Sequence, residues 1–366
     1  MKLSTSRESL LKPLQAVIGV VERRQTMPVL ANVLLVAENG VLSVTATDLE
    51  VELVARAEVD NVPTPGEITV PGRKLVDIFK ALPENAAVTV SLKGDRLTVQ
   101  SGRSKFVLST LPATEFPVVD DIGAEKTVSI SQEDLSRLLE KTHFSMAQQD
   151  VRYYLNGLML ESDKKQLRAV ATDGHRLALC DIPLTSAEAG QSQVIVPRKG
   201  VLELQRLLSG NGEVEIAIGA NHIRVELGDT RFTSKLIDGR FPDYDRVIPA
   251  VGENVVSADR DELRHALQRA AILSNEKYRG VRLEFGTNQI RIQANNPDQE
   301  EAEDEVEVEY DGPEMEIGFN VNYLLDALAA VESDTVEVGL VDPSSSCVVS
   351  APGDDKCLYV VMPMRL

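Results

Sequence analysis

One period governs this sequence. Thr45-Ala46-Thr47-Asp48 returns as Val170-Ala171-Thr172-Asp173, Val70-Pro71-Gly72-Arg73-Lys74 as Val196-Pro197-Arg198-Lys199-Gly200, and Glu115-Phe116-Pro117 as Arg240-Phe241-Pro242, at offsets of 125, 126 and 125. A third copy is weaker: Ala294-Asn295-Asn296 falls 123 residues after Ala171-Thr172-Asp173, and Phe319-Asn320 falls 123 after Val196-Pro197. The 366 residues thus divide into three units, expected at 1–122, 123–247 and 248–366, each of ordinary single-domain size.

Every unit carries the same predicted elements. An amphipathic helix comes early, at Glu8–Val21, Gln132–Phe144 and Arg260–Leu273. Ser131 stands three residues before Asp134, and Asp259 three before Glu262, the spacing that satisfies the free amides of a first helical turn. A second helix is predicted from Gly72, Arg198 and Asn320, with apolar faces at Leu75, Ile78, Phe79 and Leu82, at Leu202, Leu204, Leu207 and Leu208, and at Leu324, Leu325 and Leu328. Between them, period-two runs such as Val41–Thr45, Ala87–Leu92, Glu213–Ile218 and Glu305–Tyr310 predict strands. Two helices and roughly eight short strands per unit make an α+β class chain, with linkers expected at Pro117–Lys126 and Val247–Val255.

Charge is uneven. The formal net charge is -19, yet the three units carry -2, -2 and -15. Such a chain does not coat itself with nucleic acid or acidic lipid indiscriminately, but its acidic third attracts a basic surface on another copy and favours association of unlike ends. The N-terminus lacks the apolar core of a signal peptide, and no run approaches a bilayer span, so a cytoplasmic protein without membrane contact is expected. Cys180, Cys347 and Cys357 show no CxxC spacing and leave one thiol unpaired under any pairing, which points to a reducing compartment without a disulfide framework or zinc cage.

Reactive chemistry is sparse. His143, His175, His222 and His265 are isolated and no metal-ligand or phosphate-loop frame occurs, so neither cofactor nor metal is expected. The most enzyme-like string is Asp173-Gly174-His175-Arg176, and a carboxylate/histidine hydrolase using Asp173 and His175 is the alternative reading. A tight turn presenting polar groups at a strand end explains the string better, since no nucleophile accompanies it. The acidic run Asp298–Glu305 reads as a solvated face rather than a cation site. Basic residues gather at helix starts, Arg23-Arg24, Arg73-Lys74 and Arg198-Lys199, and Arg152-Tyr153-Tyr154 follows a helix. Such groups suit sequence-independent contact with phosphates and stacking on bases. The apolar, Met-containing end Leu358–Leu366 reads as a final strand and a soft binding surface.

These residues carry a resemblance. Asp150-Val151-Arg152-Tyr153-Tyr154-Leu155-Asn156-Gly157, Ala171-Thr172-Asp173-Gly174-His175-Arg176-Leu177, Asp238-Gly239-Arg240-Phe241-Pro242-Asp243-Tyr244, Leu273-Ser274-Asn275-Glu276-Lys277 and Val361-Met362-Pro363-Met364-Arg365-Leu366, set in the threefold repeat, closely resemble the bacterial DNA polymerase III beta subunit family of sliding clamps over the entire chain. The resemblance implies three clamp domains of two helices plus antiparallel sheets, assembled head to tail as a ring-shaped homodimer around double-stranded DNA. It implies a non-catalytic processivity factor, with the polymerase III catalytic subunit, the clamp loader, other DNA polymerases and repair proteins as partners.

Residue by residue, the resemblance places DNA contacts at Arg24, Arg73, Gln149, Tyr153 and Tyr154. It places a partner-peptide cleft, suited to a short segment with a Gln and a Leu-Phe pair, at Arg152, Leu155, Thr172, Gly174, His175, Arg176, Leu177, Pro242, Arg246, Val247, Asn320, Tyr323, Ser346, Val360, Val361, Met362, Pro363, Met364 and Arg365. Tyr278, where other members can carry Phe, belongs to the same set, and Asp245 beside Arg246 departs locally in charge. The dimer contact falls on an edge strand near Lys105-Phe106-Val107-Leu108. Lys74, Arg103, Lys105, Phe106 and Leu108 are expected on one side, and Ile272, Leu273, Glu300, Glu301 and Glu303 on the other.

Overall fold

The structure, a computed structural model, describes residues 1–21, 27–119, 121–163, 165–184, 191–208, 210–252 and 254–365. The first repeat runs β1 (Lys2–Ser6), α1 (Arg7–Val17), β2 (Asn32–Glu38), β3 (Val41–Thr47), β4 (Val51–Glu58), β5 (Asn61–Thr64), β6 (Gly66–Pro71), α2 (Gly72–Ala81), β7 (Ala87–Lys93), β8 (Arg96–Ser101) and β9 (Ser104–Ser109). The second runs β10 (Lys126–Ser131), α3 (Gln132–Glu140), β11 (Gly157–Ser162), β12 (Gln166–Thr172), β13 (Arg176–Pro183), β14 (Ser192–Pro197), α4 (Arg198–Leu207), β15 (Glu213–Ile218), β16 (His222–Leu227) and β17 (Thr230–Lys235). The third runs β18 (Val255–Asp259), α5 (Arg260–Ala271), β19 (Gly280–Gly286), β20 (Gln289–Asn295), β21 (Glu301–Glu309), β22 (Met315–Asn320), α6 (Val321–Ala330), β23 (Thr335–Gly339), β24 (Cys347–Ser350) and β25 (Cys357–Val361). Strand, helix, four strands, helix, three strands recurs throughout, with β5 the one addition among the described residues.

The caps foreseen in the sequence set the helix starts. Ser131 Oγ accepts from the Asp134 amide at 3.0 Å and donates to its carboxylate at 2.8 Å, while Asp259 accepts from the Glu262 amide at 2.8 Å. Each first helix stops earlier than its apolar pattern suggests, and 3-10 turns at Ile18–Val20 and His143–Ser145 carry the pattern on in the first two repeats. Leu202, expected on the inner face of α4, is exposed at 41%; Val201, Leu204 and Leu208 are buried instead. Helix geometry accounts for this, because 202 lies about 200° around the axis from 204.

Three antiparallel sheets of five, eight and twelve strands result. The five-stranded sheet is ordered β5-β1-β7-β8-β9 and the eight-stranded one β10-β15-β16-β17-β4-β3-β2-β6. The twelve-stranded sheet is ordered β14-β11-β12-β13-β25-β24-β23-β18-β21-β20-β19-β22. The described residues fall into two compact units, one within 1–135 and 199–236, the other within 136–184, 191–198 and 237–365. Sheet continuity explains why strands of the middle repeat appear in both. Its β17 pairs with β4 of the first repeat in one unit, and its β13 pairs with β25 of the third repeat in the other.

The repeat is visible at the level of single hydrogen bonds. Thr47 Oγ1 accepts from the Leu49 amide and donates to the Val51 carbonyl, while Asp48 Oδ1 accepts from the amides of Glu50 and Val51. Thr172 and Asp173 repeat all four bonds with Gly174, His175 and Arg176. The turn needs a left-handed third residue, and φ is 79° at Leu49 and 86° at Gly174. Glycine adopts this region freely and leucine does not.

The cysteine expectation is corrected. Cys180 and Cys357, 177 residues apart, stand opposite each other in the β13·β25 ladder and are joined as a disulfide, while Cys347 remains a buried thiol. Only the strand register brings the pair together, so spacing along the chain gave no sign of it. Among the described residues, no helix is long and apolar enough to cross a membrane and no group of three or more His, Cys, Asp or Glu is placed to hold a metal ion.

Candidate functional site

The second unit gathers most of the residues expected at the peptide cleft. The ladder between β13 and β25 sets Leu177 against Val360 and Arg176 against Val361. Leu177 and Val360 belong to one buried cluster with Met159, Val170, Leu179, Ile195, Phe241 and Tyr244, and Tyr154, Ile237, Ile248 and Leu358 pack against it. Leu155 is buried in the same 3-10 turn, Tyr153–Leu155, as the Tyr154 that packs on this cluster. Burial of this kind contributes roughly 25 cal/mol per Å² of apolar surface, which ties the floor to the domain core.

Arg176 is the hub. Its Nε lies 3.1 Å from Asp173 and its Nη1 2.5 Å from Asp326, and its Nη2 donates to the Phe144 carbonyl at 2.7 Å. The guanidinium also lies 4.5 Å from the ring centroid of Tyr323 and 5.6 Å from that of Phe144. Next to it the Met362 amide donates to the His175 carbonyl at 2.9 Å, and further along the Met364 amide donates to the Gly318 carbonyl at 2.8 Å. The C-terminal arm of Met362, Pro363 and Met364 is thereby fixed at two points while its side chains stay half-exposed, and Arg365 is exposed.

One edge is formed by Arg152, bound to Asp150 through Nε and Nη2 at 3.0 and 2.9 Å and within 3.4 Å of the Asp173 carbonyl. These bonds hold the Asp150 carboxyl far below its usual range, at about 2. A side chain at Gly174 would meet Arg152 Nη2 at 2.9 Å, so glycine also gives the guanidinium its place. Pro242 and Val247 are half-exposed, and Arg246 projects outward in an ion pair with Asp243 at 2.8 Å. Asn320 caps α6 through the Asn322 amide and donates to the carbonyl of Tyr278, whose exposed ring carries Lys277 at 5.0 Å. Ser346 immediately precedes β24, whose first residue, Cys347, is paired with Val361.

The hydrolase alternative finds its carboxylate already engaged. Asp173 accepts from two turn amides and from Arg176, so its bonds are those of a turn and a clamp on Arg176.

The loop expected to meet DNA also belongs to the second unit. Asn156 ties it by accepting from the Asp150 amide and donating to the Asp150 carbonyl, both at 2.8 Å. Gln149 sits at a left-handed φ of 58°, Tyr153 is 75% exposed, and Tyr154 packs on the cluster below the cleft. In the first unit Arg73 opens α2 and donates to the Val21 carbonyl at 2.6 Å. Arg24 lies outside the described residues. The basic pair of the second repeat is already partnered, since Lys199 pairs with Asp48 and Arg198 donates to the Met146 carbonyl at 3.3 Å.

Two strand edges, β9 and β21, carry part of the set expected at the dimer contact, Lys105, Phe106 and Leu108 on one and Glu301 and Glu303 on the other. In the first unit β9 ends the five-stranded sheet, with Arg103 and Lys105 exposed and Phe106 and Leu108 half-buried; Lys74, in the first turn of α2, is exposed. In the second unit β21 pairs with β20 through Glu307 and meets β18 only at Val308 and Glu309. A groove of about 480 Å³ on that sheet is lined by Glu301 and Glu303 together with Arg282 and Gln293. Glu300 accepts from Asn296 at 2.6 Å, Ile272 is 76% exposed, and Leu273 is half-buried.

Sequence reasoning missed Phe144 and Asp326 as holders of Arg176, because they lie 32 and 150 residues away from it. It also missed the row that anchors Tyr244. Glu161, Arg168 and Asp181 are direct cross-strand neighbours on β11, β12 and β13, and Arg168 donates to the Tyr244 hydroxyl, which donates to Glu161.

Three copies of one strand-and-helix-pair domain, with a C-terminal arm closing an apolar floor between strands of the second and third repeats, define a clamp-type repeat protein. The descriptions "DNA polymerase III beta subunit, N-terminal domain", "central domain" and "C-terminal domain" match residues 1–120, 129–243 and 245–365. A beta sliding clamp of Pseudomonas putida is 55% identical and that of Escherichia coli 52% identical, each over 100% of both chains. The solved DNA polymerase III subunit beta of Pseudomonas aeruginosa is 54% identical with a TM-score of 0.97, again over 100% of both chains, and a sliding clamp of that organism bound to griselimycin gives 55% and 0.97. The chain therefore belongs to the DNA polymerase III beta subunit family, the bacterial beta sliding clamps.

Proposed function

We propose that this chain works as a sliding clamp: a non-catalytic processivity subunit that encircles duplex DNA as a head-to-tail homodimer and tethers the replicative polymerase and other partners. The single observation that carries the reading is similarity along all three repeats, at 55% identity over the entire length of a beta sliding clamp. A ring holds DNA by topology, so it needs few phosphate contacts and can slide, which reconciles a net charge of -19 with DNA as the ligand. Its working place is the cytoplasm.

The residue assignments extend this reading. Arg24, Arg73, Gln149, Tyr153 and Tyr154 meet DNA through phosphates and ring faces, without reading sequence. The floor of Leu155, Leu177, Val360 and Val361, edged by Arg152, Pro242, Val247 and Met362, receives the apolar residues of a partner's linear peptide, and a few such anchors supply most of the affinity. The clamp loader, the polymerase and repair proteins compete for it. Ring closure sets β9 against the open edge of β21 from another copy. Lys74, Arg103 and Lys105 then face Glu300, Glu301 and Glu303, and Ile272 and Leu273 pack with Phe106 and Leu108. The repeats 1–122, 123–247 and 248–366 are its three clamp domains.

Loading on circular DNA tests the function. Protein placed on a nicked circle by a cognate loader with ATP should remain through gel filtration and leave once the circle is cut. Equal retention on circle and linear DNA would mean ordinary affinity and would overturn the ring.

A further inference from the structure

The Cys180–Cys357 disulfide has a position that its role as a cross-link alone does not explain. It forms one rung of the ladder in which the rungs Leu177–Val360 and Arg176–Val361 build the cleft, three and four residues further along. Cys180 is fully buried, whereas Cys357 opens β25 just after a turn and lines a cavity of about 180 Å³. Arg137, Lys141, Glu332 and Asp354 line the same cavity. Arg137 and Lys141 reach Glu332 at 3.2 and 2.8 Å, and the Glu332 side chain is 62% exposed. Two cations and two carboxylates thus line the cavity that Cys357 also lines, a lining whose charges suit a small zwitterion. Disulfides inside cells are commonly transient or redox-sensing.

We propose that Cys180 and Cys357 form a reversible thiol–disulfide site, reached through the cavity at Arg137 and Lys141 by a zwitterionic low-molecular-weight thiol, and that its state sets how firmly β25 holds the peptide cleft. This rests on the cleft and the cytoplasmic location given above. The entering thiolate attacks Sγ of Cys357, the Cys180–Cys357 bond breaks, and Cys180 leaves as a thiolate that takes up the proton lost by the entering thiol. A second small thiol then attacks the mixed disulfide and frees Cys357. Two small thiols are oxidised to one disulfide while the protein disulfide is reduced to two thiols, and the corresponding small disulfide drives the reverse. Without the covalent tie, β25 keeps its hydrogen bonds but samples more conformations, so a peptide must order more chain on binding.

The test equilibrates the full-length protein with graded ratios of reduced to oxidised glutathione, then traps thiols with an alkylating reagent in denaturant and counts them by intact mass. One thiol, Cys347, is expected at the oxidising end and all three at the reducing end. Cys180→Ser should capture glutathione on Cys357, Arg137→Gln in that background should slow capture about fivefold, and Cys357→Ser should capture none. Reduction should weaken binding of a Gln/Leu-Phe peptide about threefold. Three free thiols at every ratio, a disulfide that glutathione opens only in denaturant, or capture indifferent to Arg137→Gln would overturn the site. Equal peptide affinity in both states would overturn the coupling. Peptide binding in neither state would instead refute the cleft, while the thiol counts would still decide the exchange chemistry.

Discussion

Replacing Arg176 by alanine tests how the cleft is held together. The truncation leaves the Phe144 carbonyl without its donor, at a cost of about 1 kcal/mol. It removes the stacking on Tyr323 and Phe144, about 1 kcal/mol together at this partly desolvated place. It also breaks the pairs with Asp173 and Asp326; the Arg176 side chain is 13% exposed but Asp326 is 46% exposed, and with solvent screening the two pairs contribute about 1 kcal/mol. The sum, about 3 kcal/mol, is expected as roughly hundredfold faster amide hydrogen exchange from Thr172 through Leu177, with slopes elsewhere unchanged. Arg176→Lys keeps a charge but loses the planar fork and the stacking, so about half of the loss should remain. Exchange within threefold of wild type in Arg176→Ala would refute the account of Arg176 as the hub.

Burial pushes the Tyr244 hydroxyl up from 10.0 to about 12. The folded form therefore keeps its proton where the unfolded chain loses it; this stability is complete below pH 10 and is lost as pH rises through about 12, and Tyr244→Phe should abolish that alkaline component in stability measured against pH. Reversing Glu300, Glu301 and Glu303 to lysine should raise the dimer dissociation constant at least tenfold, roughly, and added salt should weaken the wild-type dimer, both read by sedimentation; a dimer indifferent to both would exclude electrostatic closure. Calorimetric titration with a Gln/Leu-Phe peptide should saturate at one peptide per chain, and two per chain would contradict the asymmetry argued below.

The repeat, the helix caps and the alternating strands were legible because they depend on residues close in sequence. The Thr-Asp turn was readable for the same reason: its bonds span two to four residues. What could not be read was decided by sheet register. Cys180 meets Cys357, and Arg168 joins Glu161 and Asp181 in one row, through strand pairings that no local pattern specifies. Arg176 was identified through resemblance, but its partners Phe144 and Asp326 depend on how β13 packs against a 3-10 turn and α6. The exposed Leu202 was misplaced because α4 has more apolar residues than its inner face accommodates.

A threefold repeat raises the question of why the cleft is not copied as well. The first repeat builds the same turn, with Thr47, Asp48 and Leu49 where the second has Thr172, Asp173 and Gly174, and β4·β17 repeats the pairing of β13·β25. A cavity of about 140 Å³ lies there, lined by Leu49, Glu50, Glu52, Pro117, Thr233 and Lys235 among others. The floor has changed, however. The rung Leu177–Val360 has become Glu52–Thr233, and Glu52 is buried, engaged by the Val119 amide at 2.8 Å and by Arg231 at 3.7 Å. An apolar anchor entering here would lie against a buried, already engaged carboxylate instead of an apolar rung, and would find less apolar surface to pack on than at Leu177 and Val360. Leu49, held at a φ of 79° where Gly174 fits without strain, also carries a side chain at the position that Gly174 leaves open to Arg152. The repeat thus supplies the same backbone twice, and if the cleft binds peptides as proposed, two substitutions on one rung confine that apolar binding to a single cleft per chain.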